Sequence, residues 1–259
     1  MNRVAAQFQQ LHGTGKKAFI PYIMGGDPDL DGLPRILKTL TEAGADLIEV
    51  GVPFSDPLAD GPVIQAAGVR ALRQGCTLTK LLAAIKPVTP VLAAPLILMI
   101  YYNQVLQRGL ERFMDEIKEA GCAGLIIPDL PPDAADELRE LAARLEIGLN
   151  FLTAPTSKEE RIKAAAEAST GFLYAVSLKG VTGARNSLPP ELPDFIRRVK
   201  SLSERPVAVG FGIATPEQAG MVAGLADGVI IGSAIVKAVA ESSDLDKVEL
   251  FVKGLREAI

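Results

Sequence analysis

Tryptophan is absent from the 259 residues, histidine occurs once and cysteine only twice. The single His12 excludes a histidine-rich metal centre and leaves no second imidazole for a relay; a Ser-His-Asp triad built on it is disfavoured by its place in an amphipathic N-terminal stretch, VAAQFQQLH. Cys76 and Cys122 lie far apart and form no C-x-x-C pair, so neither a disulfide framework nor a thiolate metal site is expected. Basic residues do not dominate either: 27 Lys and Arg stand against 31 Asp and Glu, for a formal net charge of -4. That balance argues against nucleic acid or an anionic membrane surface as the partner. Long apolar runs are missing too. The longest, PLILMI, is strand-sized, and MNRVAAQFQQLHGTGKKAF lacks the apolar centre of a signal peptide. The expectation is a cytoplasmic protein whose acid–base chemistry rests on carboxylates, tyrosines or lysines.

What is abundant is short runs of Val, Ile and Leu, each followed by a segment of helical period. Eight strands are expected, at 18–23, 47–52, 96–101, 124–129, 148–153, 172–177, 206–211 and 228–233. The connection after the second holds two helical stretches, around 62–74 and 78–86. Eight strand–helix units in about 250 residues fit an α/β fold of the (β/α)8 barrel type. We expect a single domain over 1–259, with an extra N-terminal helix and an extra helical segment after strand two. A doubly wound open sheet fits less well: GFGIAT at 210–215 lacks the third glycine of a dinucleotide fingerprint, and no GxxxxGK[ST] loop is present.

A barrel gathers its chemistry at the C-terminal ends of the strands. Period-two alternation in LIEVGV puts Glu49 on the face opposite Ile48 and Val50, pointing into the barrel. None of the eight strand candidates carries a lysine or arginine to neutralise it, which favours a functional carboxylate over a structural ion pair. Asp56 and Asp60 follow in a loop rich in proline and glycine, where turn capping is the competing explanation; Asp60 also precedes a helical stretch it could cap. For Asp129, closing strand four, cap and site are evenly balanced. GVTG (180–183), GFG (210–212) and GSAIV (232–236) follow strands six, seven and eight. Their backbone amides and the Ser233 hydroxyl suit a phosphomonoester. Tyr174 lies within strand six, where core packing competes with a role in the site. Lys179, in the loop beyond, raises the alternative of a Schiff-base aldolase, although a solvated lysine is the default there.

These residues also carry a family resemblance. IEVGVPFSDPLADGPVIQ (48–65), PYIMGGDP (21–28), VTGARN (181–186), GFGI (210–213) and GSAIV (232–236) occur in this order along the chain. With them the sequence resembles the α subunit of tryptophan synthase over essentially its full length. The resemblance implies a TIM barrel that cleaves indole-3-glycerol phosphate by a retro-aldol reaction to indole and glyceraldehyde 3-phosphate. It also implies a β subunit partner in an α2β2 assembly; pyridoxal phosphate belongs to that partner and no cofactor to this chain. Carried over by position, Glu49 matches the catalytic acid/base, Asp60 the second catalytic carboxylate, and Tyr174 a tyrosine beside Glu49. Gly183, Gly212, Gly232 and Ser233 match phosphate-binding segments. Tyr22, Tyr101, Asp129 and Thr182 match positions lining the site or its loops. Many relatives carry phenylalanine at 22, and SLKGVTG departs from the SRSGVTG of some. A non-catalytic regulatory subunit is the alternative of a different class, disfavoured by the presence of both Glu49 and Asp60.

Overall fold

The computed structural model describes residues 1–177, 189–210, 212–242 and 244–259. Its strands are β1 (Ala18–Met24), β2 (Ile48–Gly51), β3 (Leu96–Met99), β4 (Gly124–Ile126), β5 (Gly148–Leu149), β6 (Leu152–Thr153), β7 (Leu173–Val176), β8 (Val207–Gly210) and β9 (Gly228–Ile231). The helices that alternate with them are α1 (Arg3–Gly13), α2 (Leu33–Glu42), α3 (Pro62–Arg73), α4 (Leu78–Ile85), α5 (Tyr102–Arg108) and α6 (Leu110–Glu119). They continue with α7 (Asp136–Leu145), α8 (Glu159–Ala168), α9 (Leu192–Ser201), α10 (Pro216–Ala223), α11 (Ser233–Glu241) and α12 (Leu245–Glu257).

All pairings are parallel, in the order β5-β4-β3-β2-β1-β9-β8-β7-β6. The two ends of that sheet are the halves of one expected strand, 148–153, separated only by Asn150 and Phe151. One side of the gap is bonded by Asn150 N–H to the Leu125 carbonyl at 3.1 Å. The other is bonded by Tyr174 N–H to the Phe151 carbonyl at 2.9 Å. The buried Asn150 side chain spans the break: its Oδ1 accepts from Phe172 N–H at 2.9 Å, and its Nδ2 lies 3.3 Å from the Leu125 carbonyl. The ring therefore closes, and this is a TIM barrel with its fifth strand split in two.

Helix faces follow the 3.6-residue period. In α2 the buried residues are Leu33, Ile36, Leu37 and Leu40; in α9 they are Leu192, Phe195, Ile196 and Val199. Each such side chain contributes roughly 1.5–3 kcal/mol on burial, and this packing holds helices of ten residues that would not persist alone. Both expected stretches after strand two are helices, α3 and α4. The connection after β3 likewise divides into α5 and α6, at Gly109, whose φ of 86° suits glycine.

The expected N-terminal helix plugs the bottom of the barrel. Its buried face, Val4, Phe8 and Leu11, is caught by the Asn2 side chain accepting from Ala5 N–H at 2.9 Å. Glycines make room for it. A β-carbon at Gly124 or Gly171 would fall 2.9 or 2.8 Å from Val4, and one at Gly148 2.8 Å from the Asn2 oxygen. Phe8 then packs on Phe172 at a centroid distance of 5.3 Å.

Candidate active site

At the opposite end a cavity opens among the strand ends. Tyr22, Glu49, Asp60, Tyr174, Gly212, Gly232 and Ser233 all line it. Seven residues singled out from the sequence thus meet in one place.

Strand register explains the first two. Tyr22 and Glu49 are partners in the β1–β2 ladder, so both project to the same side of the sheet. The Tyr22 hydroxyl leans across Gly51, and the Tyr174 hydroxyl leans likewise across Gly210; a β-carbon at either glycine would collide with the ring. Two glycines on β2 and β8 therefore let two tyrosines fold over the mouth.

Glu49 is 1% exposed, and neither carboxyl oxygen has a hydrogen-bond partner among the described residues. Loss of water raises its pKa to about 8, and the nearby Asp60 adds to the shift. Burial also lifts Asp60, to about 6, while a hydrogen bond from Tyr101 works in the opposite direction. Burial and the two carboxylates push Tyr22 and Tyr174 well above the usual phenol value, so both keep their protons. Near neutral pH the mouth thus holds one protonated and one ionised carboxyl group, in unlike surroundings.

Asp60 does not cap α3. Gly61 occupies that position without a side-chain cap, Pro62 starts the helix, and the Asp60 carbonyl accepts from Gln65 Nε2 at 2.9 Å. The capping alternative is overturned, because the carboxylate turns away from the helix toward Tyr101 and the cavity. Asp56 is exposed and bonded to Ser55, as a turn residue would be.

Gly212 has φ 77°, a left-handed turn after β8 that a β-carbon would strain. Gly232 precedes the nine-residue α11, whose first residue is Ser233. No side chain caps that helix among the described residues, and its start, Gly232 and Ser233, lines the cavity.

Asp129 takes the other branch of its balance. Its Oδ1 accepts from Tyr102 N–H at 2.9 Å, holding the start of α5, and it lines a separate surface groove with Pro131 and Pro132. Tyr101 touches the site through Asp60 rather than as a cavity wall. Thr182, Gly183 and Lys179 lie outside the described residues. Sequence reasoning missed the apolar wall, Ile64, Met99, Ile213 and Ile230. Met99 and Ile230 were open to the same period-two argument as Glu49, and Ile64 to the 3.6-residue period of α3, whose buried face is Ile64, Ala67, Gly68 and Ala71; Ile213 sits in the loop after β8, where no period applies. Among the described residues no group of three His, Cys, Asp or Glu side chains is arranged to hold a metal.

Two buried carboxyl groups, two glycines, Ser233 and an apolar wall thus share one cavity. The family model "Tryptophan synthase alpha chain" matches residues 8–258. The chain belongs to the tryptophan synthase alpha chain family. The alpha chain of Synechocystis sp. is 48% identical over 263 residues, covering 100% of both chains. That of Arabidopsis thaliana is 46% identical over 257 residues, with 97% of this chain and 94% of the plant one covered. Among solved structures, Mycobacterium tuberculosis tryptophan synthase superposes with a TM-score of 0.92 at 38% identity, covering 100% of this chain and 98% of that one. The alpha subunit from Legionella pneumophila gives 0.91 at 35%, with 100% and 98% covered. Tryptophan synthase alpha chains are carbon–carbon lyases of tryptophan biosynthesis that cleave indole-3-glycerol phosphate, and the barrel described above is their fold.

Proposed function

We propose that this cavity performs the family's retro-aldol cleavage with Glu49 as the acid/base and Asp60 as its charged counterpart. The observation that carries the assignment is the Glu49 carboxyl: buried, without a hydrogen-bond partner among the described residues, and shifted to about 8. A carboxylic acid that retains its proton at neutral pH can deliver it to C3 of the indole ring. Protonation there turns indole into a leaving group and puts positive charge on the ring nitrogen. Once the ring has accepted that proton, the Glu49 carboxylate takes one from the glycerol hydroxyl as the carbon–carbon bond breaks and the aldehyde forms. Proton count balances: one in, one out, on the same residue. Such acid–base work is worth about 10²–10⁴-fold in rate. Asp60, ionised above about pH 6, stabilises the ring cation. Tyr174 packs beside Glu49 and Tyr22 against the ring, while Ser233, Gly232 and Gly212 receive the phosphate through backbone amides and the hydroxyl.

No cofactor enters this scheme; pyridoxal phosphate belongs to the β subunit partner, in an α2β2 assembly that receives the indole. Leu58, 85% exposed in the loop before α3, and Leu106, 56% exposed on α5, give the rim of the mouth apolar surface for such a partner. A cytoplasmic location and one folding unit over 1–259 complete the reading. They are supported by the continuous hydrophobic core and by the lack, among the described residues, of any helix long and apolar enough to cross a membrane.

The test is indole release from indole-3-glycerol phosphate by the chain and its Glu49→Gln variant. The native chain should show a bell-shaped kcat/KM, rising as Asp60 ionises through about pH 6 and falling as Glu49 loses its proton through about pH 8. Near-native turnover by Glu49→Gln would defeat the assignment.

A further inference from the structure

The loop from Pro53 to Asp60 delivers a carboxylate to the cavity, yet most of its residues are half-buried or exposed. Loops of this composition do not by themselves hold a side chain to a fraction of an ångström. Something else must. Tyr101, at the end of β3, grips both ends of the loop. Its ring stacks on Phe54 with centroids 5.2 Å apart and planes 27° from parallel. Its hydroxyl oxygen accepts from Ala59 N–H at 3.0 Å, which leaves its proton facing the Asp60 carboxyl, whose pKa it lowers. The neighbouring Gln104 adds a third hold, from Nε2 to the Pro53 carbonyl at 3.1 Å. Tyr101 itself stands on a braced base, since Asp129 accepts from Tyr102 N–H.

We propose that Tyr101 is a positioning residue: its ring, stacked on Phe54, and its hydroxyl, held by the Ala59 amide, fix the loop that aims Asp60 into the cavity. The inference rests on the role given to Asp60 above. A phenol that accepts from one group and donates to the next has its proton oriented before substrate arrives, so the carboxylate need not reorganise during the reaction. Direction matters here. The titratable groups facing Asp60 are Glu49, Tyr22, Tyr174 and Tyr101, and Asp129 faces Tyr101. Of these only the Tyr101 hydroxyl acts to lower the Asp60 pKa. Removing it leaves burial unopposed.

The test is Tyr101→Phe, which keeps the stacked ring and deletes the hydroxyl. Two readouts are compared: the kcat/KM–pH profile and a carbon-13 NMR titration of the Asp60 carboxyl, assigned by its loss in Asp60→Asn. We expect the Asp60 midpoint to rise by about one pH unit, as loss of a hydrogen bond to the charged form requires. The ionised fraction at pH 6 then drops from about one half to about one tenth, so kcat/KM at that pH falls about fivefold and recovers above pH 7.5. An unmoved midpoint in the NMR titration overturns the inference, as does a loss of kcat/KM equal at every pH, which a merely structural role would give. Near-native turnover by Asp60→Asn would instead overturn the role of Asp60. The NMR midpoint does not depend on turnover and still judges Tyr101 in that case.

Discussion

The two ends of this barrel use the same strands for opposite purposes. At the bottom, Gly124, Gly148 and Gly171 strip side chains from the strand starts so that α1 can lie against the backbone, and Phe8 and Phe172 fill what remains. At the mouth, Gly51 and Gly210 make space as well, but tyrosine rings occupy it and leave a polar cavity beside Glu49. Glycine thus serves sealing at one end and opening at the other; the residue that enters the space decides which. A bottom filled by α1 and these rings lets the mouth keep a carboxyl group that has no hydrogen-bond partner among the described residues, which a well-packed core would not choose.

If the division is real, substitutions at the two ends should separate activity from stability. The largest effect is expected at the mouth. Glu49→Gln should lower indole release by at least about 10²-fold, with the variant folded by circular dichroism. Phe8→Ala at the bottom should cost about 3–5 kcal/mol in a urea titration, the range for a buried phenylalanine, while kcat of the folded fraction stays within about twofold. A parallel fall in kcat would show that the plug and the mouth are coupled.

A smaller effect tests the cost of the mouth itself. With its folded pKa raised from 4.5 to about 8, Glu49 binds its proton more tightly in the folded chain than in the unfolded one. Its contribution is therefore fully present below about pH 4.5 and is lost as pH rises through about 8. Urea titrations at pH 5 and pH 8.5 should show Glu49→Gln gaining on the native chain across that window, by on the order of a few kcal/mol. An equal difference at both pH values would mean that Glu49 is hydrated after all. Asp60, raised from 3.8 to about 6, adds a similar fall confined to more acidic pH.

Much of this was legible from the chain. Alternation in LIEVGV located Glu49, and the want of basic residues on the strands foretold its isolation. The eight strand positions were right to within a few residues, with 124–129 ending early at Ile126. Strand five was not legible as two pieces, because its interruption depends on an Asn150 side chain bonding backbone from neighbouring segments. Asp60 and Asp129 looked alike in sequence, each an aspartate beside prolines after a strand; one reaches the cavity and the other braces α5. Tyr101 was placed near the site, but its grip on the loop was invisible, since Phe54 and Ala59 lie more than forty positions away.

By itself the sequence determined the barrel class, the inward face of β2 and the glycine-rich turn after β8, because periods of 2 and 3.6 and the special φ of glycine are local properties. Only the tertiary structure decided which carboxyl group loses its water, which one a phenol keeps ionised and which aspartate merely holds a helix. Those outcomes depend on desolvation and hydrogen bonds between segments far apart in the chain, and no local pattern encodes a dielectric environment.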